Sequence, residues 1–426
     1  MEAGEHADVP SAVRRSSGSQ ASGGDDSHDV VAMMRSIFPL ELPALADRYE
    51  CGAMLGEGRF SRVICAHRKG CVGDAARHEY ALKEIALSVL EEDEEAREML
   101  EAEVAALRRA AEHAELHTRV VRLHEVICTE ADMWLVMDRV VGDELFNVVE
   151  RDGPLAPTVV CALMGQLTGA LERLHAIGVV HRDIKPENLM VEGVCGGRNE
   201  AADLTAVRLV LIDFGYATIV DDADGAASLS GVAGSPEYAA PEVLSWLEAE
   251  IGGDEANATP YGPGCDVWSC GVTAYVLLCA ALPCAPAPSP RDLSALRCST
   301  ATLHWHTASP THPLTDRLDL PDGDPDEFAL VAAARLAQLT FSQPEWDDDD
   351  LTLARSFIST CMTVDADRRP TAAAAARHAW FAPPTRHPTD GATRTALNGP
   401  ATALENGRPP AAKLDALDAA ATPASA

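Results

Sequence analysis

The chain has 426 residues, with 34 basic against 66 acidic side chains and a formal net charge of −32. That balance excludes a protein whose main task is gripping nucleic-acid phosphates or an anionic membrane, since both need Lys and Arg. It fits a basic partner, or simple solvation. A hydrophobic fraction of 47% supports a sizeable core.

Twelve cysteines stand without a C-x-x-C pair, and the start MEAGEHADVP is acidic and polar, unlike a signal peptide. A reducing, intracellular setting, cytoplasmic or nuclear, is therefore expected. The longest apolar run, Val267–Ala281, is too short to span a bilayer and reads as a buried core helix.

Residues 1–46 are rich in Ser, Gly and Asp and read as a disordered leader. Leu55–Val63 then reads LGEGRFSRV, where Gly56 and Gly58 would let backbone come close to a phosphate. Tyr80–Ile85 is a strand pattern that puts Ala81 and Lys83 on one face. Ser88 and Glu91 have the S-x-x-E spacing of a capping box, which predicts a helix start there. Leu100, Val104, Leu107 and Ala111 repeat as one apolar stripe with Glu103 at its edge. A carboxylate facing a core needs a cation, and Lys83 is the candidate. Met133–Met137 is a further strand pattern.

Beyond Glu150 the patterns turn helical. An apolar helical stretch, Leu163–Leu174, precedes His181-Arg182-Asp183-Ile184-Lys185-Pro186-Glu187-Asn188. The strand pattern Val207–Ile212 runs into Asp213-Phe214-Gly215, and Ala240-Pro241-Glu242 follows. Residues 285–326 carry many prolines and aspartates, a long loop by any standard. Cys298, His304, His306 and His312 lie in it without the paired spacing of a zinc knuckle and read as ordinary loop residues. Residues 382–426, rich in Ala, Pro and Thr, read as a disordered tail.

In composition, order and spacing these motifs together resemble the eukaryotic protein kinase signature set, over about residues 49–381. The resemblance implies an α+β, bilobal protein-kinase-like fold. A small β-sheet N-lobe with one main helix would cover residues 47–141, and a larger, mostly α-helical C-lobe residues 142–381, with 285–326 as an insert. It also implies ATP and Mg2+ as cofactors and an activity transferring the γ-phosphoryl group to serine or threonine hydroxyls of proteins.

Roles carry over with the motifs. Leu55, Gly56, Gly58 and Ser61 would form the loop over the phosphates, Ser61 replacing the usual third glycine. Val63 and Ala81 would sandwich the adenine, and Lys83 would hold the α/β phosphates while pairing with Glu103. Met137 would guard the deep adenine pocket. The backbones of Asp138 and Val140 would bond the base, and Glu144 would lie by the ribose. Asp183 would accept the substrate hydroxyl proton, Lys185 would steady the transferring phosphoryl, and Asn188 and Asp213 would hold the metal.

Gly234–Tyr238 resembles the segment that positions the substrate residue. Asp266 resembles the anchor of the catalytic loop, and Arg369 is placed to pair with Glu242. VVGDELF, WSCGV and QPEWDD resemble the calcium/calmodulin-dependent kinase group, and Glu144 and Glu187 match positions that meet basic residues upstream of the acceptor. No EF-hand loop and no basic amphipathic helix in the tail is found, so calmodulin binding is not expected. Arg182 resembles the receptor of an activation-loop phosphate, yet Gly231 stands where related chains often carry the phosphothreonine. Thr218, Ser228 and Ser230 are left as candidates. Arg14-Arg15-Ser16-Ser17 matches a basic-directed phosphosite or plain low-complexity sequence. Two rivals stay open: a scaffold of the same fold without turnover, and a small-molecule phosphotransferase.

Overall fold

The computed structural model describes residues 45–382, apart from 59–60, 71–77, 130, 193–206, 221–227, 253–254, 284–338, 340, 342–345 and 347–350. The leader up to residue 44, the 285–326 insert with its Cys298 and His304–His312 set, the tail from 383 and Arg14–Ser17 lie outside the described residues.

The N-terminal part is a five-stranded antiparallel sheet, β1 (Tyr49–Glu57), β2 (Ser61–Arg68), β3 (Glu79–Ala86), β4 (Leu123–Cys128) and β5 (Asp132–Asp138), in the order β1-β2-β3-β5-β4. A short helix, Leu45–Arg48, leads into β1, so the last two residues assigned to the leader are helical. Leu45 packs beside Tyr49, Leu82, Ile127, Trp134 and Val136, the apolar cluster on the outer face of the sheet.

The helix bearing the apolar stripe is α1 (Glu94–Ala111). Its start corrects the capping-box expectation. Ser88 and Glu91 lie within a separate short helix, Leu87–Glu92, which has no side-chain cap. Asp93 then adopts an extended backbone, and its side chain accepts the Ala96 N–H at 3.0 Å. An aspartate placed just before a helical run caps it as well as a serine does, and here it stands next to the stripe. Leu100, Val104 and Leu107 are buried, and Glu103 with them.

The C-terminal part is mainly helical. The helix Pro157–Ala176 packs on the apolar helix Gly264–Cys279, nearly every residue of which is buried. The expected core-helix reading of Val267–Ala281 is thus met. Two short strands, Leu189–Glu192 and Arg208–Leu211, pair antiparallel, the first leaving the 181–188 loop and the second leading into Asp213-Phe214-Gly215. Arg369 closes this part from below: its guanidinium meets Glu242 at 2.5 and 2.9 Å, as the resemblance implies, and lies 5.1 Å over Trp268. The expected α+β arrangement of a small β-rich lobe and a larger helical one is present. Among the described residues no helix is long and apolar enough to cross a membrane.

Candidate active site

Sheet register assembles the first half of the site. Val63 pairs with Gly56 on one side and Lys83 on the other, and Lys83 with Leu135; Ala81 pairs with Met137. Directly paired residues point to the same face, as do residues two apart along a strand. Val63, Ala81, Lys83 and Met137 therefore share the inner face, with Gly56 at its rim. A Cβ on Gly56 would meet nothing within 4 Å, so the bare backbone leaves open space above the sheet. The Gly58 N–H donates to the Ser61 carbonyl at 2.7 Å and tightens the turn. Leu55 is exposed.

Lys83 Nζ lies 2.7 and 2.9 Å from the two carboxylate oxygens of Glu103, and 3.7 Å from Asp213 Oδ1. The cation inferred for the buried glutamate is thus in place. Burial works against the Lys83 ammonium, but the charges of Glu103 and Asp213 outweigh it and hold its pKa well above the ordinary lysine range. Burial also raises the Asp213 carboxyl, and here Lys83, the Gly215 N–H at 3.0 Å and Lys185 more than offset it, so the net direction is down. Asp213 is therefore a carboxylate at neutral pH.

The second half comes from the 181–188 loop. Asp183 is buried, and each of its oxygens has partners. Oδ1 accepts the Ser235 N–H at 2.9 Å; Oδ2 accepts Asn188 Nδ2 at 2.8 Å and lies 3.0 Å from Lys185 Nζ. Asn188 Nδ2 also donates to the Asp183 carbonyl at 2.8 Å. Both amide hydrogens of Asn188 are thereby used on Asp183, which leaves its carbonyl oxygen as the free donor atom. That oxygen and the Asp213 carboxylate are hard oxygen donors, of the kind Mg2+ takes and soft transition metals do not seek.

This loop is held from beneath by Asp266, fully buried, which accepts the backbone N–H groups of His181 at 2.9 Å and Arg182 at 2.7 Å and meets His175 Nε2 at 2.8 Å. Arg182 sits at φ 65°, a left-handed conformation that a non-glycine residue keeps only under constraint. The two Asp266 bonds supply that constraint. Phe214 is wholly buried and packs edge-on against the His181 ring, 4.9 Å between centroids.

Ser235, expected only as part of the Gly234–Tyr238 segment, makes contacts of its own. Besides its N–H bond to Asp183, its hydroxyl accepts from Lys185 Nζ at 2.6 Å. Gly234, at φ 82°, makes this approach possible: a Cβ there would stand 2.2 Å from the Arg182 carbonyl. The expected peptide-positioning segment is therefore bonded to the 181–188 loop.

Other expectations divide. Arg182 Nε donates to the Tyr216 carbonyl at 2.7 Å, so the expected phosphate receptor already has an internal partner. The Ser228 N–H is bonded to the Tyr261 carbonyl at 3.0 Å. The Asp138 N–H donates to the Arg122 carbonyl at 3.0 Å. Glu144 is raised by burial and accepts from Asn147 at 3.2 Å. Glu187 is mostly buried with Oε2 unpartnered, and burial, only partly countered by Lys185, pushes its carboxyl up to about 7.

The protein kinase domain family matches residues 49–381. Calcium/calmodulin-dependent protein kinase type 1B of Homo sapiens is 30% identical over 334 residues, 78% of this chain and 75% of the relative. The serine/threonine-protein kinase DCLK1 of Rattus norvegicus is 30% identical over 341 residues, 80% of this chain and 61% of the relative. Calcium/calmodulin-dependent protein kinase type 1 of Caenorhabditis briggsae is 29% identical over 352 residues, 83% of this chain and 78% of the relative.

Proposed function

Because the chain belongs to the protein kinase family and is a protein serine/threonine kinase, we propose that it transfers the γ-phosphoryl group of ATP, with Mg2+, to serine or threonine hydroxyls that follow basic residues. The observation that carries the reading is the shared Asp183: one carboxylate bonded at once to Asn188, Lys185 and the Ser235 backbone.

In this reading Lys83, fixed by Glu103, holds the α/β phosphates, and Val63 and Ala81 enclose the base. Met137 guards the deep end of the pocket, and the backbones of Asp138 and Val140 bond the adenine edge. Leu55, Gly56, Gly58 and Ser61 cover the phosphates. Asn188 and Asp213 hold Mg2+, which when bound draws charge from the phosphate oxygens. Asp183 orients the substrate hydroxyl and accepts its proton, and Lys185, beside it, balances charge on the transferring group. The lysine needs no reorganisation to do so, since Ser235 already positions it. Calcium/calmodulin dependence stands in the names of two of the relatives above and is not part of this proposal.

Basic-context selection rests on Glu187 and Glu144. Glu187, raised to about 7, is largely neutral at pH 6 and charged at pH 8. The KM for a peptide with an upstream arginine should therefore fall several-fold from pH 6 to pH 8, while an alanine-substituted peptide shows no such trend. Glu187→Gln should abolish the pH dependence. Equal KM values for the two peptides at pH 8 would remove the basic-context reading.

A further inference from the structure

The side chains of His78, His124 and Asp138 form a cluster that the proposed kinase chemistry does not use. His78 immediately precedes β3, His124 lies on β4 and Asp138 ends β5, which runs between them. Asp138 pairs with Tyr80, so His78 stands two residues along the neighbouring strand, on the same face. That face is the outer one, opposite Ala81 and Lys83. Two strands, and the residue that leads into β3, thus bring one ligand group each to a single corner, with His124 and Asp138 on the stiffer mounting a strand gives.

The ligand atoms of the three residues lie within 4.8 Å of one another. Asp138 Oδ1 is 2.6 Å from His124 Nε2 and 3.3 Å from His78 Nε2. A tetrahedral ion with bonds of about 2.0–2.1 Å spaces its ligand atoms about 3.3 Å apart. The His78–Asp138 distance already matches that spacing, and the His124–Asp138 contact is shorter than it. Tyr80 braces both rings edge-on, at 4.6 Å from His78 and 5.3 Å from His124.

A second cluster, Cys65, His67 and Glu79, makes an instructive contrast on the inner face. There the Arg139 guanidinium lies 2.5 Å from Glu79 Oε2 and 3.3 Å from Cys65 Sγ. A fixed positive charge already stands where an ion would, so no metal is inferred at that cluster. Among the described residues Asp138 has no such Arg or Lys ion pair; its partners are the imidazoles of His124 and His78.

We propose that His78, His124 and Asp138 bind Zn2+ at the outer corner of the small sheet, with a fourth position open to water. Two imidazoles and one carboxylate suit this borderline ion, whereas Mg2+ demands oxygen ligands. The ion would tie together the ends of β3, β4 and β5 beside Asp138.

The test uses the full chain, stripped by a chelator and titrated with Zn2+ in excess Mg2+ against a chromophoric competitor. The wild type should bind one more equivalent than the His78→Ala/His124→Ala double variant. His124→Gln, which keeps a polar side chain, should weaken that equivalent about tenfold or more. Zn2+ should raise the wild-type melting temperature more than the variants'. Co2+ in the same position should give visible bands without thiolate-to-metal charge transfer. Identical stoichiometry and affinity in wild type and His124→Gln would overturn the proposal, as would a thiolate signature for the equivalent lost.

Discussion

Asp183→Asn lowers kcat for peptide phosphorylation by about 10²–10⁴, the usual worth of a positioned base, while the KM for ATP stays within about threefold. The size follows from what the carboxylate touches. It lies among donors only: the Ser235 N–H, Asn188 Nδ2 and Lys185 Nζ. An amide in its place keeps the shape but loses the proton-accepting charge, and its own NH2 faces donors on the Oδ2 side. Lys83, Glu103 and Asp213 hold one another and stay put, which is why ATP affinity changes little. Steady-state kinetics on the purified variant decides the matter. A kcat within tenfold of wild type would show that the hydroxyl proton leaves by another route.

The second large effect is on stability. Asp266→Ala removes the acceptor for the buried His181 N–H, the part-buried Arg182 N–H and His175. Each buried donor left unsatisfied costs about 1–3 kcal/mol, and Arg182 loses what holds it at φ 65°. Several kcal/mol of destabilisation is expected, together with loss of kcat, because Asp183 is the next residue. The pH dependence has a definite sign. His175 and the backbone donors overcome the effect of burial and lower the Asp266 carboxyl. A carboxyl lowered by folding contributes stability above its unfolded value, and that contribution is lost as pH falls through the folded one. The gap between wild type and Asp266→Asn should therefore be widest near neutral pH and close in strong acid. Thermal unfolding across that range checks it; a gap independent of pH would point to packing instead.

Much of this site was legible in the sequence because its residues lie in short motifs whose local geometry is forced. Period two puts Ala81 with Lys83, and a helical stripe leaves Glu103 at its edge, so their pairing follows from the need of a buried carboxylate for a cation. Arg369 with Glu242 and Asp266 beneath the loop were legible only through the family pattern, since each partner is far away in sequence. Within the Gly234–Tyr238 segment the contacts of Ser235 were not legible, because they depend on how closely Gly234 lets one segment approach another. The helix start was misplaced because two cap signals stand five residues apart, and only tertiary packing of the stripe selects Asp93. The histidine corner was missed for a similar reason: strand order alone brings residues 78, 124 and 138 together.

The central claim is phosphoryl transfer by the Lys83–Asp183–Asn188–Asp213 assembly. Its most direct test is transfer of radiolabelled phosphate from ATP to an arrayed peptide library, with and without Mg2+, by the wild type and by Asp213→Ala. Mg2+-dependent labelling of serine or threonine peptides by the wild type, reduced about 10²-fold or more in the variant, is the predicted result. Labelling of equal strength by both proteins, or none by either, would contradict the account.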